Sequence, residues 1–308
     1  MRLTYTYLTR YPKVFQSLTG LRVREFEHLL RDILPMYQAA EIKRLSRPDR
    51  QRAIGGGDRC DLAAVEQLLV AVIWLRTYPV HLMLGFLFGV SGVTVGRLLG
   101  RWVWVLEQAG RDTMRLPDPG KKRRRTLDAL LADTPELAVI IDTFEQSVQR
   151  PQTRAEADGY YSGKKKRHTL KSQIAIDEDT GAIADVAESV PGPTADLTVL
   201  KDSGLMQRLP CGVGSLGDSA YIGLAPLHPG GLGATPRRKP RNQPRPAEDV
   251  AYNAAFSKRR IKVEHTIGRV RRYQAVSQTD RHHRRNHTAR VVAIAGLVNR
   301  QIKSRLPC

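Results

Sequence analysis

Leu137-Ala138-Val139-Ile140-Ile141 is an unbroken apolar run, and Asp142 ends it. A continuous run, unlike an alternating one, marks a strand buried on both faces. Such a strand needs covering layers above and below, which excludes a single open sheet with one wet face. The segments that follow supply those layers. His168 to Ile176 and Ala182 to Val190 read as two further strands, joined by the turn Asp177-Glu178-Asp179-Thr180-Gly181. Thr194 to Met206 reads as a helix with Thr194 as its N-cap, and Gly212 to Leu216 as a short strand. Pro226 to Pro246, rich in Pro, Gly and Arg, reads as an exposed loop. Val250 to Tyr273 is a long helix, and Thr288 to Ile302 is a closing apolar helix. The expected fold class is therefore α/β with a mixed sheet. The first three strands form a meander, and the fourth pairs beside the first after a helical crossover.

The chain before this domain is expected to be all-α. Phe26 to Leu34 and Leu62 to Leu75 are helical runs, separated by an arginine-rich loop, Ser46 to Asp58, that contains Gly55-Gly56-Gly57. Leu82 to Phe88 is a short apolar helix, interrupted by Gly89-Val90-Ser91. Val93 to Val105 follows and bears Thr94, Arg97 and Arg101. Helix, glycine turn, serine N-cap and second helix outline a helix-turn-helix, which can lay its second helix in the DNA major groove. An ordinary helical hairpin has the same outline. Residues 111–136 read as a linker, with Pro117, Pro119, Gly120 and the run Lys121-Lys122-Arg123-Arg124-Arg125. The domain plan is 1–110 helical and DNA-binding, 111–136 basic linker, 137–308 catalytic.

Charge narrows the partner. Fifty Lys and Arg against thirty Asp and Glu leave a formal net charge of +20. A chain this basic is expected to bind a polyanion, and nucleic acid is favoured because each phosphate contact releases a condensed counterion. The alternative, an anionic membrane surface, usually requires an amphipathic anchor or lipid. The start is polar, and the longest apolar stretch, Leu68 to Leu75, is too short to span a bilayer. Cys60, Cys211 and Cys308 are far apart and form no CxxC pair, so neither a disulfide framework nor a cysteine zinc site is expected. A reducing cytoplasm fits that usage.

Three acids are candidates for chemistry. Asp142 and Asp218 each follow a strand, where open α/β sheets place their ligands. Glu264 lies in the long helix. There, at about 100° per residue, Tyr252, Phe256, Val263, Ile267 and Val270 form an apolar stripe, with Arg260, Glu264 and Arg271 on its flank. If strands and helix converge, three hard oxygen ligands suit Mg²⁺ or Mn²⁺. Two such ions can support in-line displacement at a phosphodiester. The simpler alternatives are a turn role for each Asp and an Arg260–Glu264 ion pair. Between Phe256 and Arg285 stand ten Lys and Arg against only Glu264 and Asp280, so metal binding without DNA is expected to be weak. Tyr160-Tyr161-Ser162-Gly163-Lys164-Lys165-Lys166-Arg167-His168 sets aromatics beside cations, as suits nucleic acid. His282, His283 and His287 lack accompanying ligands and read as DNA-proximal or solvated.

These strings resemble a known family. Asp142-Thr143-Phe144-Glu145 with Val148-Gln149-Arg150-Pro151 is similar to the first catalytic motif of DDE-superfamily insertion-sequence transposases. Tyr160 to Gln173 resembles their signature segment. Pro191-Gly192 with Asp196, then Leu216-Gly217-Asp218-Ser219-Ala220-Tyr221-Ile222-Gly223, resembles the second motif. Asn253, then Ser257 to Gly268 around Glu264, resembles the third. The resemblance implies a ribonuclease-H-like domain after a helix-turn-helix domain, and Asp142, Asp218 and Glu264 as catalytic ligands of two divalent ions, Mg²⁺ or Mn²⁺. It further implies contacts to terminal inverted repeats and target DNA, a homodimer on double-stranded DNA, and a bacterial, nucleoid-associated setting. The candidate DNA contacts are Thr94, Arg97, Arg101, Lys164, Lys165, Lys166, Arg167, Arg260 and Arg271. The chain departs from the family pattern at Thr143, Ala195, Ser257 and Arg271. The competing functions are a non-transposing nuclease on this fold and a DNA-binding regulator.

Overall fold

The structure, a computed structural model, describes residues 2–46, 61–120 and 129–305. The Gly55-Gly56-Gly57 triplet and the Lys121 to Arg125 run lie outside the described residues. The N-terminal part is all-α, with α1 (Tyr5–Thr9), α2 (Pro12–Thr19), α3 (Val23–Leu45), α4 (Ala64–Thr77), α5 (His81–Phe88) and α6 (Gly92–Arg111). The expected hairpin is present, with α5 and α6 meeting at a bend of 101°. Gly89, at φ 69°, closes α5 in the left-handed region, where a side chain would be strained. Ser91 then caps α6 by accepting a hydrogen bond from the Thr94 amide at 3.1 Å.

The second part begins with β1 (Ala138–Ser147) and continues through α7 (Arg154–Tyr160), β2 (Tyr161–Ser162), β3 (Arg167–Asp177), β4 (Ile183–Val186) and β5 (Val190–Pro191). It is completed by α8 (Asp196–Ser203), α9 (Leu205–Arg208), β6 (Gly214–Leu216), β7 (Gly233–Ala234), α10 (Ala247–Arg271) and α11 (His287–Lys303). The main path of the sheet is β2-β3-β1-β6-β7, with β4 and β5 pairing on β3. The meander β1-β3-β4 is antiparallel, and β6 joins β1 in parallel after the α8–α9 crossover. This is the mixed α/β sheet expected from the run order. β1 is longer than its apolar run because it continues past Asp142, pairing with β3 down to Ser147. The crossover helix also differs: Gly204, at φ 64°, splits it, and α8 starts at Asp196 with Ala195 rather than Thr194 as N-cap. Within the expected loop, Gly233–Ala234 adds β7 at the edge of β6.

Alternation along β1 divides two cores. Leu137, Val139 and Ile141 face α8 and α9, among Leu200, Leu205, Met206 and Tyr221. Ala138, Ile140 and Phe144 face the other way, among Tyr252, Phe256 and Val263 of α10. That second core runs unbroken through α11 into the N-terminal helices, from Leu8 to Ile302. α11 packs on both α6 and β4. At the closest point of the α6 contact backbone meets backbone: a Cβ on Gly296 would stand 2.5 Å from the Cα of Gly110. The helical part and the sheet therefore share one core. Among the described residues no single helix is long and apolar enough to cross a membrane.

Candidate active site

Two carboxylates stand at one edge of the parallel pair. The β1–β6 register ends with Ile140 opposite Leu216. Asp142 and Asp218 each lie two residues beyond that pair, so strand geometry brings them together. Parity on β1 turns Asp142 toward α10, the face shared by Ile140 and Phe144. Its Oδ1 accepts the Thr143 amide at 2.8 Å, and Arg260 reaches its Oδ2 at 3.4 Å. Asp218 caps the short turn Ser219–Tyr221, its Oδ1 accepting from the Ala220 amide at 2.8 Å.

Burial is the main force on Asp142 and pushes its carboxyl up to about 6 from 3.8. The Thr143 amide and Arg260 oppose this, and the negative fields of Asp218 and Asp196 add to it. Tyr221 reports the same field. Its buried hydroxyl lies 3.2 Å from Gln173 Oε1, and burial together with Asp196, Asp142 and Asp218 raises its pKa strongly. The buried phenol thus lies in the combined negative field of three carboxylates.

Glu264 completes the set from α10. It lines a cavity of about 210 Å³ with Asp142, Glu145, Lys164, Lys165 and Arg271. The alternative Arg260–Glu264 ion pair does not form, because Arg260 turns to Asp142 instead. Of the expected cations, Lys164, Lys165 and Arg271 therefore reach the groove. Lys166 and Arg167 are exposed beside it, and Arg167 Nη1 donates to Ser147 Oγ at 3.4 Å. Thr94 and Arg97 lie on the first turns of α6, half-buried and exposed respectively. Arg101 is bound to Glu41 of α3 at 3.1 Å. The histidines divide. His287 is fully buried rather than solvated, between Ser189 Oγ at 2.8 Å and Gln146 Oε1 at 2.7 Å. His282 stacks on His81 and meets Trp74 and Tyr78 edge to face.

Sequence reasoning missed two supports. Lys171, buried on β3, holds Asp196 Oδ1 at 2.6 Å and so fixes the third carboxylate. A lysine in the middle of a long strand was its signal. Arg259 is buried in a two-pronged pair with Glu178, at 2.8 and 2.6 Å, and donates to Thr134 and to the Pro135 carbonyl. It sits three residues after Phe256 and four before Val263, on the apolar stripe itself, where a charge demands a partner. This pair ties α10 to the turn after β3 and so sets how Glu264 is presented.

The donor chemistry fits a hard divalent cation: Asp142, Asp218 and Glu264 offer only carboxylate oxygens, and the half-buried Asp142 is disfavoured as a bare anion. Among the described residues no three His, Cys, Asp or Glu side chains are already close enough to hold one ion. Arg260, which stands against Asp142 Oδ2, would have to release it.

A mixed α/β sheet of this order after an all-α part is consistent with the fold of a DDE nuclease. Residues 141–299 match the family described as DDE superfamily endonuclease, and the chain belongs to that family. It is also similar to the probable transposase for insertion sequence element IS702 of Microchaete diplosiphon, at 26% identity over 288 residues that cover 94% of each chain.

Proposed function

We propose that the protein is a transposase that cuts DNA at element ends and joins the freed 3′-hydroxyl to target DNA. The observation that carries this is the groove in which Asp142 and Glu264 face Lys164, Lys165 and Arg271, with Asp218 coupled to Asp142. Acids alone would repel DNA. Acids rimmed by cations admit a phosphodiester and hold its non-reacting oxygens. In this reading Lys164, Lys165 and Arg271 bind the strand, and Arg260 releases Asp142 and turns to a phosphate. Asp142, Asp218 and Glu264 would hold two divalent ions, Mg²⁺ or Mn²⁺. When bound, these supply a polarised nucleophile and charge stabilisation at the leaving oxygen. Lys171 positions Asp196 so that the acidic edge stays ordered.

The helical part, with Thr94 and Arg97 at the start of α6, serves as the sequence-reading unit in this proposal. Two chains act on paired ends, as a homodimer on DNA. The test is a cleavage and strand-transfer assay on duplexes carrying the element's inverted repeat. Asp142→Asn, Asp218→Asn and Glu264→Gln should each lose cleavage and joining by on the order of 10³-fold, with DNA binding retained. Full strand transfer by any one of them would overturn the assignment. Cleavage without joining by the unaltered protein would identify a nuclease instead.

A further inference from the structure

A second basic cavity lies away from the carboxylates. It measures about 350 Å³, and its lining includes Lys13, Arg76, Arg269, Arg272, Arg305 and Tyr273. It is built from four separate helices: Lys13 comes from α2, Arg76 from α4, Arg269 at the end of α10 with Arg272 just after it, and Arg305 from just past α11. Its walls are fixed. Arg76 Nη1 donates to the Arg272 carbonyl at 2.8 Å and its guanidinium lies over the Tyr273 ring. Tyr273 is fully buried, and Gln301 donates to the Gly20 carbonyl.

Among the described residues none of these five cations has a carboxylate within ion-pair distance. Glu25, which reaches this region, is engaged by the Ser304 hydroxyl and the Arg22 amide. Cations at helix C-termini can simply complement the helix dipole. Arg269 does not gain on balance: burial, then the fields of Arg305 and Arg272, lower its pKa. The cavity therefore gathers cations that no carboxylate balances among the described residues, with Arg269 held against the repulsion of Arg305 and Arg272, as an anion-binding site does.

Position on α10 suggests which anion. Arg269 and Arg272 are about 60° apart around the helix, whereas Arg271, which lines the active-site groove, points well away from both. Glu264 and Arg272 are about 12 Å apart along the axis, comparable with the ~12 Å width of a DNA major groove. Arg272 and Arg269 stand about 80° and 140° around the helix from Glu264, so the cavity opens on another flank of α10 and would take backbone away from the strand at the carboxylates. We propose that this cavity is a phosphate anchor, which grips the DNA backbone outside the strand being cut. The anchor presupposes the DNA binding proposed above. Its chemistry is that of phosphate, which a free polyphosphate could also supply.

The experiment measures affinity for a short labelled duplex of arbitrary sequence over a range of salt. It compares the full chain, the double variant Arg269→Gln/Arg272→Gln, and Lys201→Gln as a control cation on α8. Each lost phosphate contact flattens the plot of log affinity against log salt by about 0.9. The double variant should flatten it by roughly twice that, and Lys201→Gln should leave it unchanged. Without DNA, Arg269→Gln should melt at a higher temperature than the parent, because a repelled charge has gone; a helix-capping role would lower the midpoint. A double variant with the parent's slope overturns the anchor while DNA binding stands. No salt-dependent binding by the parent overturns both. Saturable stabilisation by inorganic pyrophosphate, lost in the double variant while the DNA slope is unchanged, assigns the cavity to a free anion and overturns the DNA anchor.

Discussion

Asp142→Asn should make the metal-free protein more stable, and only above a certain pH. In the folded state burial holds the Asp142 carboxyl at about 6, against an ordinary 3.8. An acid raised on folding contributes stability when protonated, fully present below its unfolded value and lost as pH rises through the folded one. A displacement of this size corresponds to about 3 kcal/mol. It is already net of the attraction of Arg260 and of the Thr143 amide. Asparagine mimics the protonated acid and keeps an oxygen for the Thr143 amide. Urea denaturation without divalent ions should therefore show the variant more stable by about 3 kcal/mol at pH 8, with the gain gone by about pH 4. With a DNA duplex bound, added Mg²⁺ should then stabilise the parent at pH 8 and not the variant, since an ion that binds only the folded state shifts stability by mass action. A gain of equal size at both pH values, or a variant less stable than the parent at pH 8, would refute the idea that Asp142 is a buried charge awaiting a cation. Stability sacrificed at a site that must act is a common signature of function.

Three further outcomes follow from the packing. Arg259→Met removes the charge facing buried Glu178 and should destabilise the fold by about 3–5 kcal/mol by chemical denaturation; Arg259→Lys should recover only part, because a lysine cannot form the two-pronged contact. Gly296→Ala sets a methyl against Gly110 at 2.5 Å and should cost roughly 1–3 kcal/mol, read as a lower thermal midpoint. His287 is held near 4 mainly by burial, with Arg290 adding to it. Its contribution is present above about 6.5 and lost as pH falls, so His287→Gln should remove on the order of 3 kcal/mol of the stability loss between pH 7 and pH 4.

Much of the fold could be read from local pattern. The run Leu137 to Ile141 announced a strand covered on both faces, and β1 is that strand between two cores. Gly89 and Ser91 marked the break between α5 and α6 through the φ and capping preferences of single residues. Asp142, Asp218 and Glu264 stood out because each ends or interrupts an apolar pattern, and the strings around them resembled a known family. What a chain cannot display locally is which distant charge meets which. Arg260 had an i,i+4 acid available in Glu264, yet it turned to Asp142, since β1 parity aims that carboxylate at α10. Arg259 had the same local appearance as Arg260, but helix phase put it on the buried stripe, where Glu178 from the turn after β3 meets its charge. Likewise Lys13, Arg76, Arg269, Arg272 and Arg305 are scattered over nearly the whole sequence. They form a cavity only because α2, α4, α10 and α11 converge. The sequence by itself thus determined the main strands and helices and their order, and singled out three candidate acids, because periodicity, capping and turn chemistry act over a few residues. Only the tertiary structure decided the pairing of charges and the second basic cavity, because long-range electrostatics depend on where packing leaves each side chain.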